Sequence, residues 1–168
     1  MSLVRQVKVR RLDAIKSGMV EFYTLQSSHE TMLAQIPGRT VDDLFVHHFH
    51  TDQLLVVRGE IVLVILSDRQ YHYFPLSEAV PQVVTIPPGV PHGSINFSDQ
   101  PCMFVNAVLR HGEAHDRDYR PLRKPFPYDV ERAKAALETI RPKVIHGEVI
   151  HGEAIQNDAC TKTIALRH

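Results

Sequence analysis

Between Leu54 and Leu109 the chain is a succession of short apolar, β-branched runs, each closed by Pro, Gly, Ser or Asp: Leu54–Val57, Ile61–Leu66, Gln70–Phe74, Gln82–Ile86, Gly93–Phe97 and Met103–Leu109. A strand roughly every 10 residues, punctuated by turn formers, favours an all-β sandwich or barrel over an α/β fold. The first two runs are joined by Arg58-Gly59-Glu60, a linkage that predicts a β-hairpin turning on a positive φ at Gly59. Both arms are apolar on both faces, so one face belongs in the interior and the other against a second layer. With little helix to cover it, the expected second layer is another subunit. The expectation is a homodimer through the sheet carrying the hairpin, with Leu3–Val9 or Lys143–Ile155 crossing between subunits.

Two segments read as minor peripheral helices. Ser27-x-x-Glu30 is a capping box opening a short helix to Ile36, closed by Pro37-Gly38. Asp129 is an N-cap for a helix to Ile140, with Val130, Ala133, Leu137 and Ile140 on one stripe and Arg141-Pro142 at its end. A length of 168 residues suits one domain, residues 1–168, with a barrel core over about 40–110. Nineteen basic side chains balance 19 acidic ones, which removes the electrostatic footprint of a nucleic-acid binder. No apolar run reaches the ~18 residues of a membrane helix, and the basic N-terminus has no apolar stretch behind it, so a cytoplasmic protein is expected. The two cysteines make no disulfide framework, and Cys102 lies in an apolar run as a buried thiol. The near-repeat Val144-Ile-His-Gly-Glu148 and Val149-Ile-His-Gly-Glu153 reads as edge-strand turns with polar tips.

The chemistry concentrates in the histidines. There are 11, and three crowd into Val46-His47-His48-Phe49-His50. A fourth, His92, is delivered by Ile86-Pro87-Pro88-Gly89-Val90-Pro91-His92-Gly93-Ser94-Ile95-Asn96, where two fixed proline φ values and a glycine set the direction of the imidazole. This stretch resembles the second motif of the cupin superfamily, P-x-G-x2-H-x3-N, at Pro87, Gly89, His92 and Asn96. The first cupin motif, G-x5-H-x-H-x3,4-E-x6-G, is similar to the segment closed by Gly59: its Glu position falls on Asp52, and its His positions fall on Val46 and His48 or on Phe45 and His47. His48-Phe49-His50 is the alternative H-x-H, with a shorter link to Asp52. The resemblance implies a cupin double-stranded β-helix, a jelly-roll barrel.

On an extended strand His48, His50 and Asp52 share one face. With His92 opposite, they would offer three imidazoles and a carboxylate to one divalent transition metal, Fe, Mn, Ni, Cu or Zn, with positions left open for a small-molecule ligand. In the odd register His47 replaces the pair. Gln53 is a reserve oxygen ligand, and His92 and His48 are the candidate catalytic residues. The plainer reading leaves the triplet on an exposed strand and His92 as a satisfied polar residue. Val56–Ile61, Leu76-Ser77 and Ile86–Gly93 also resemble the dTDP-4-dehydrorhamnose 3,5-epimerases, over about residues 40–110. That resemblance implies a metal-free sugar-nucleotide epimerase or isomerase using His92 and one clustered His as acid and base; a cupin that binds a small ligand without chemistry is the third reading. Arg117–Lys124 reads as a solvated basic loop, with Arg110, His111 and His115 as rim residues.

Overall fold

The computed structural model describes residues 5–17, 20–23, 26–113, 118–141, 143–145, 148–150 and 162–166. The strands in chain order are β1 (Arg5–Arg11), β2 (Ile15–Ser17), β3 (Val20–Phe22), β4 (Glu30–Ile36), β5 (Thr40–Val41), β6 (Leu44–Val46), β7 (His50–Arg58) and β8 (Glu60–Ser67). They continue with β9 (Gln70–Ser77), β10 (Gln82–Ile86), β11 (His92–Asn96), β12 (Cys102–Arg110) and β13 (Arg120–Leu122). A single helix among the described residues, α1 (Val130–Glu138), is followed by β14 (Lys143–Ile145), β15 (Glu148–Ile150) and β16 (Lys162–Leu166). Two antiparallel sheets make a jelly-roll sandwich. One has the order β16-β1-β10-β7-β12-β4; the other has the order β13-β6-β11-β8-β9, with β5 paired to β11.

The expected hairpin across Gly59 does not form. Gly59 has φ +81°, as its position requires, but β7 and β8 lie in different sheets and the chain arches from one to the other. Both edges of β7 are taken by β10 and β12, and both edges of β8 by β9 and β11, so neither strand has an edge to offer the other. The tight hairpin is instead β8–β9, where Ser67 faces Gln70 across Asp68-Arg69. Both turn residues have positive φ, 50° and 59°, with no glycine to announce them.

The segment from Ser27 to Ile36 is also not a helix. Residues 30–36 form β4, in register with β12 from Cys102–Ile36 to Val108–Glu30. The free edge of β12 supplies a ladder of hydrogen bonds along this segment, and that outweighs a local capping signal. Pro37-Gly38 still ends the element, as a turn in which Arg39 has φ +53°.

Alternation along β8 shows how both of its faces are buried. Ile61, Leu63 and Ile65 point between the sheets, into a core with Val7, Ile36, Leu54, Val56, Phe74, Leu76, Val84, Ile86, Val90 and Cys102. Val62, Val64 and Leu66 point outward into a second cluster with Leu44, Tyr71, Ile95, Tyr128, Ala133 and Leu137. The face that sequence patterning assigned to a second subunit is therefore covered, on β8, by the chain's own α1. That helix begins where expected, with the Asp129 side chain accepting from the Arg132 N–H at 2.9 Å. Cys102 is wholly buried, and burial pushes its thiol up to about 11. Of the His-Gly-Glu near-repeat, the described part is the β14–β15 pair; residues 146–147 and 151–155 lie outside the described residues. No helix among the described residues is long and apolar enough to cross a membrane.

Because Leu137 is the largest buried side chain that α1 packs on the sheet, Leu137→Ala is expected to destabilise the protein by about 2–5 kcal/mol in urea unfolding. A shift within ±0.5 kcal/mol would mean that the helix does not cap the outer face of β8.

Candidate functional site

Four strands bring the site residues together at one end of the sandwich. β7 begins with His50 and Asp52, whose side chains share its inner face with Leu54 and Val56; β11 begins with His92; β10 ends at Ile86, paired with Asp52; and Asn106 of β12 faces Leu54. The Pro87–Gly89 turn does what the sequence pattern requires: Gly89 adopts φ +74°, and its N–H donates to the His47 carbonyl, tying the histidine cluster to the turn that launches His92.

Asp52 is the hub and is only 2% exposed. Its Oδ1 accepts from Asn106 Nδ2 at 2.6 Å and faces His50 Nε2 at 3.1 Å. Its Oδ2 lies 3.5 Å from both His47 Nε2 and His92 Nε2. His92 Nδ1 sits 2.9 Å from the Val90 carbonyl, which can only accept; Nδ1 therefore carries the proton, and in the neutral ring Nε2 presents its lone pair to the site. Burial holds His47 and His92 below the usual histidine range, despite the opposing charge of Asp52.

His50 behaves differently. Burial alone would lower it, but hydrogen bonds and charge from Asp52 and Asp118 raise it, because its Nδ1 is bonded to Asp118 Oδ2 while Nε2 faces Asp52. Asp52 and Asp118 are lowered in turn. In each, burial is outweighed: at Asp52 by His50, His92, His47 and Asn106, and at Asp118 by the Phe49 and His48 N–H groups and by His50.

The structure thus brings His50, Asp52 and His92 together and leaves His48 out. The expectation of His48, His50 and Asp52 on one face assumed a continuous strand, whereas β7 starts only at His50 and residues 48–49 form a bend. His48 is exposed, and His47 takes its place, within 4.8 Å of Asp52 and His92 by ligand atoms. Gln53 is likewise set aside, since it points to the opposite face of the sheet and donates to the carbonyls of Ala107 at 2.8 Å and Ser27 at 3.1 Å. Asn96 of the second cupin motif works at the far end of β11, donating to the Pro37 and Gln100 carbonyls at 3.1 and 2.9 Å.

Asp118 and Asn106 were missed by sequence reasoning. Asp118 is hidden in a stretch that reads as a basic loop, and Asn106 lies in an apolar run; neither has a spacing signal. Of the proposed rim, Arg110 is paired with Glu30 and His111 Nε2 lies 2.7 Å from Thr51 Oγ1. Lys124 is 3.2 Å from Asp43, and His115 and Arg117 lie outside the described residues. Tyr119 stacks on Phe45 with ring centroids 5.1 Å apart, beside His47. His47 Nδ1 is buried without a hydrogen-bond partner among the described residues.

No protein-family model matches the sequence, and no curated protein matches it. Solved structures do match in fold. A dTDP-sugar isomerase from Desulfovibrio desulfuricans G20 superposes with a TM-score of 0.61 at 16% identity, over 74% of this chain and 91% of that one. A dTDP-4-dehydrorhamnose 3,5-epimerase from Elizabethkingia anophelis NUHP1 gives 0.59 at 10%, over 73% and 78%. A sugar 3,4-ketoisomerase from Thermoanaerobacterium thermosaccharolyticum, solved with TDP, gives 0.55 at 11%, over 80% and 97%. The chain therefore has a cupin jelly-roll fold. Its backbone is of the kind seen in these sugar-nucleotide isomerases and epimerases.

The placement of His92 depends on its neighbour. A Cβ on Gly93 would come within 2.7 Å of the Asp43 carbonyl oxygen and 2.8 Å of the Tyr128 hydroxyl, so a side chain there must push β11 off its seat. Gly93→Ala is expected to cost about 1–3 kcal/mol in urea unfolding. An unchanged midpoint would show that this close approach does not constrain the strand.

Proposed function

We propose that this cupin holds one divalent transition metal at the mouth of its jelly roll, on His47, His92 and Asp52, and uses it to bind and act on a small molecule. The observation that carries the reading is the convergence on Asp52 Oδ2, where two imidazole Nε2 atoms lie 3.5 Å from one carboxylate oxygen. The His92 lone pair, a second imidazole and the Asp52 anion gathered in a buried site call for a cation among them. Ligand atoms at ~2.1 Å around a tetrahedral ion are separated by roughly 3.4 Å, close to the 3.5 Å from Asp52 Oδ2 to each imidazole Nε2.

The surroundings fit the same role. The second oxygen of Asp52 is held by His50 and Asn106, and His92 donates its other ring N–H to a backbone carbonyl, the outer-shell support that metal ligands use. Two imidazoles and one carboxylate leave positions open for substrate. His50 then supports Asp52 instead of ligating, and His92 remains at the reacting centre. A bound ion would supply Lewis acidity toward a substrate oxygen.

A second reading is favoured by the His50–Asp118 pair and by the sugar-nucleotide chemistry named for the structural neighbours. In it the protein is a metal-free isomerase or epimerase in which the neutral His92 and a clustered histidine exchange a proton next to a keto group.

One set of measurements separates the two. After reconstitution and desalting, elemental analysis is expected to give close to one equivalent of Zn, Mn, Fe, Ni or Cu, with His92→Ala abolishing uptake, His47→Ala weakening it and His48→Ala leaving it intact. Less than a tenth of an equivalent in the unmodified protein, a threshold set about there because protein metal sites fill near stoichiometrically, sinks the metal reading. If chelator-treated protein then incorporates solvent deuterium into TDP-4-keto-6-deoxyglucose, the substrate named for a ketoisomerase neighbour, the second reading stands.

A further inference from the structure

We infer that Asp118 is the positioning residue that brings His47 into the ligand set, so that metal binding at His47, Asp52 and His92 depends on a carboxylate that contributes no ligand atom to it. The inference rests on the metal reading above.

Strand parity is the starting point. In an extended chain His47 would face away from His50 and Asp52, because odd and even positions alternate. Yet the His47 ring lies 4.1 Å from the His50 ring, and its Nε2 is 3.5 Å from Asp52. Something must turn residue 47 across to the face of residues 50 and 52. That is the bend at residues 48–49.

One carboxylate gathers the bend. Asp118 Oδ1 accepts both the His48 N–H at 2.7 Å and the Phe49 N–H at 2.9 Å, and Oδ2 is bonded to His50 Nδ1. Successive N–H groups converging on one anion form the concave backbone arrangement that cannot be part of a regular ladder. From the other sides Gly89 N–H donates to the His47 carbonyl, and His111 N–H donates to the Phe49 carbonyl at 2.7 Å. Asp118 is itself only 7% exposed, and its three donors compensate its burial. It is held in place by the strand after it, since Arg120 pairs with Val46 and Leu122 with Leu44 on the edge of β6. The docking of residues 118–122 on β6 and the presentation of His47 are therefore one structural event.

The test uses the full chain and measures Zn2+ affinity by competition with a chromophoric chelator, together with the visible spectrum of the Co2+-loaded protein. D118A is expected to bind Zn2+ about 10–100-fold more weakly than the unmodified chain, the range for losing an outer-shell support. Its Co2+ spectrum is expected to match that of H47A, because both lose the same imidazole. D118N keeps an oxygen for the two backbone N–H groups but presents an amide N–H to His50, and a loss of about 10-fold is expected. It carries the test if D118A does not fold. A D118N or D118A protein that binds Zn2+ as tightly as the unmodified chain, whatever its melting temperature, overturns this inference and leaves the metal reading standing. An unmodified chain that takes up neither ion overturns both. Fast exchange of the His48 and Phe49 amides in the unmodified protein would also overturn it, since the clamp requires both to be protected.

Discussion

A carboxylate with 2% of its surface exposed is the constraint around which this site is organised. An unpaired charge at Asp52 would cost several kcal/mol, and a protein can hold it there only by surrounding it with donors. Four side chains surround it: Asn106 of β12 donates to it, His50 of β7 faces the same oxygen, and His47 from the bend before β7 and His92 of β11 approach the other oxygen. Only two of these contacts are hydrogen-bond distances to the same oxygen. The two imidazoles at 3.5 Å stand further back, around the oxygen that Asn106 and His50 leave untouched. This division of one carboxylate into a pinned oxygen and an approached oxygen makes Asp52 a candidate ligand and not merely a neutralised buried charge.

The histidines divide along the same line. His50 lies between two carboxylates, which raise it, whereas burial lowers His47 and His92. The arrangement separates chemically identical side chains by environment alone.

Much of this was legible in the sequence wherever the information was local and periodic. β10 falls on Gln82–Ile86 as read from the apolar run, Asp129 caps the helix, and the P-x-G turn places His92 at the start of a strand facing inward. The reading broke down where a choice depended on who pairs with whom. Gly59 signals a turn equally well for a hairpin or for an arch between sheets, and only the occupied edges of β7 and β8 decide between them. Ser27–Ile36 carries helix-like signals, yet the free edge of β12 makes Glu30–Ile36 a strand. At the site, Asp52 and His92 could be named from motif spacing, but the choice of His47 over His48 rests on Asp118, some seventy residues away in sequence, and no pattern within the histidine cluster encodes it.

The position of the site follows from the antiparallel ladder. Along β7 the inward residues run His50, Asp52, Leu54, Val56, polar at one end and apolar at the other. Along β12, which runs the opposite way, the inward order is Cys102, Phe104, Asn106, so its polar member meets the polar end of β7. β10 contributes Ile86 opposite Asp52, and the turn after it returns His92 at the same level from the other sheet. Register is therefore what concentrates the charge. A one-residue slip of β7 would send His50 and Asp52 to the outer face, where Gln53 now is, and bring Gln53 and Leu55 into the space between the sheets. The buried apolar residues farther along the same strands, Leu54 and Val56 against Ile61, Leu63 and Cys102, fix that register by hydrophobic burial. The apolar half of the sandwich thus does more than stabilise the fold: it sets the alignment that holds a carboxylate and three imidazoles together at the mouth.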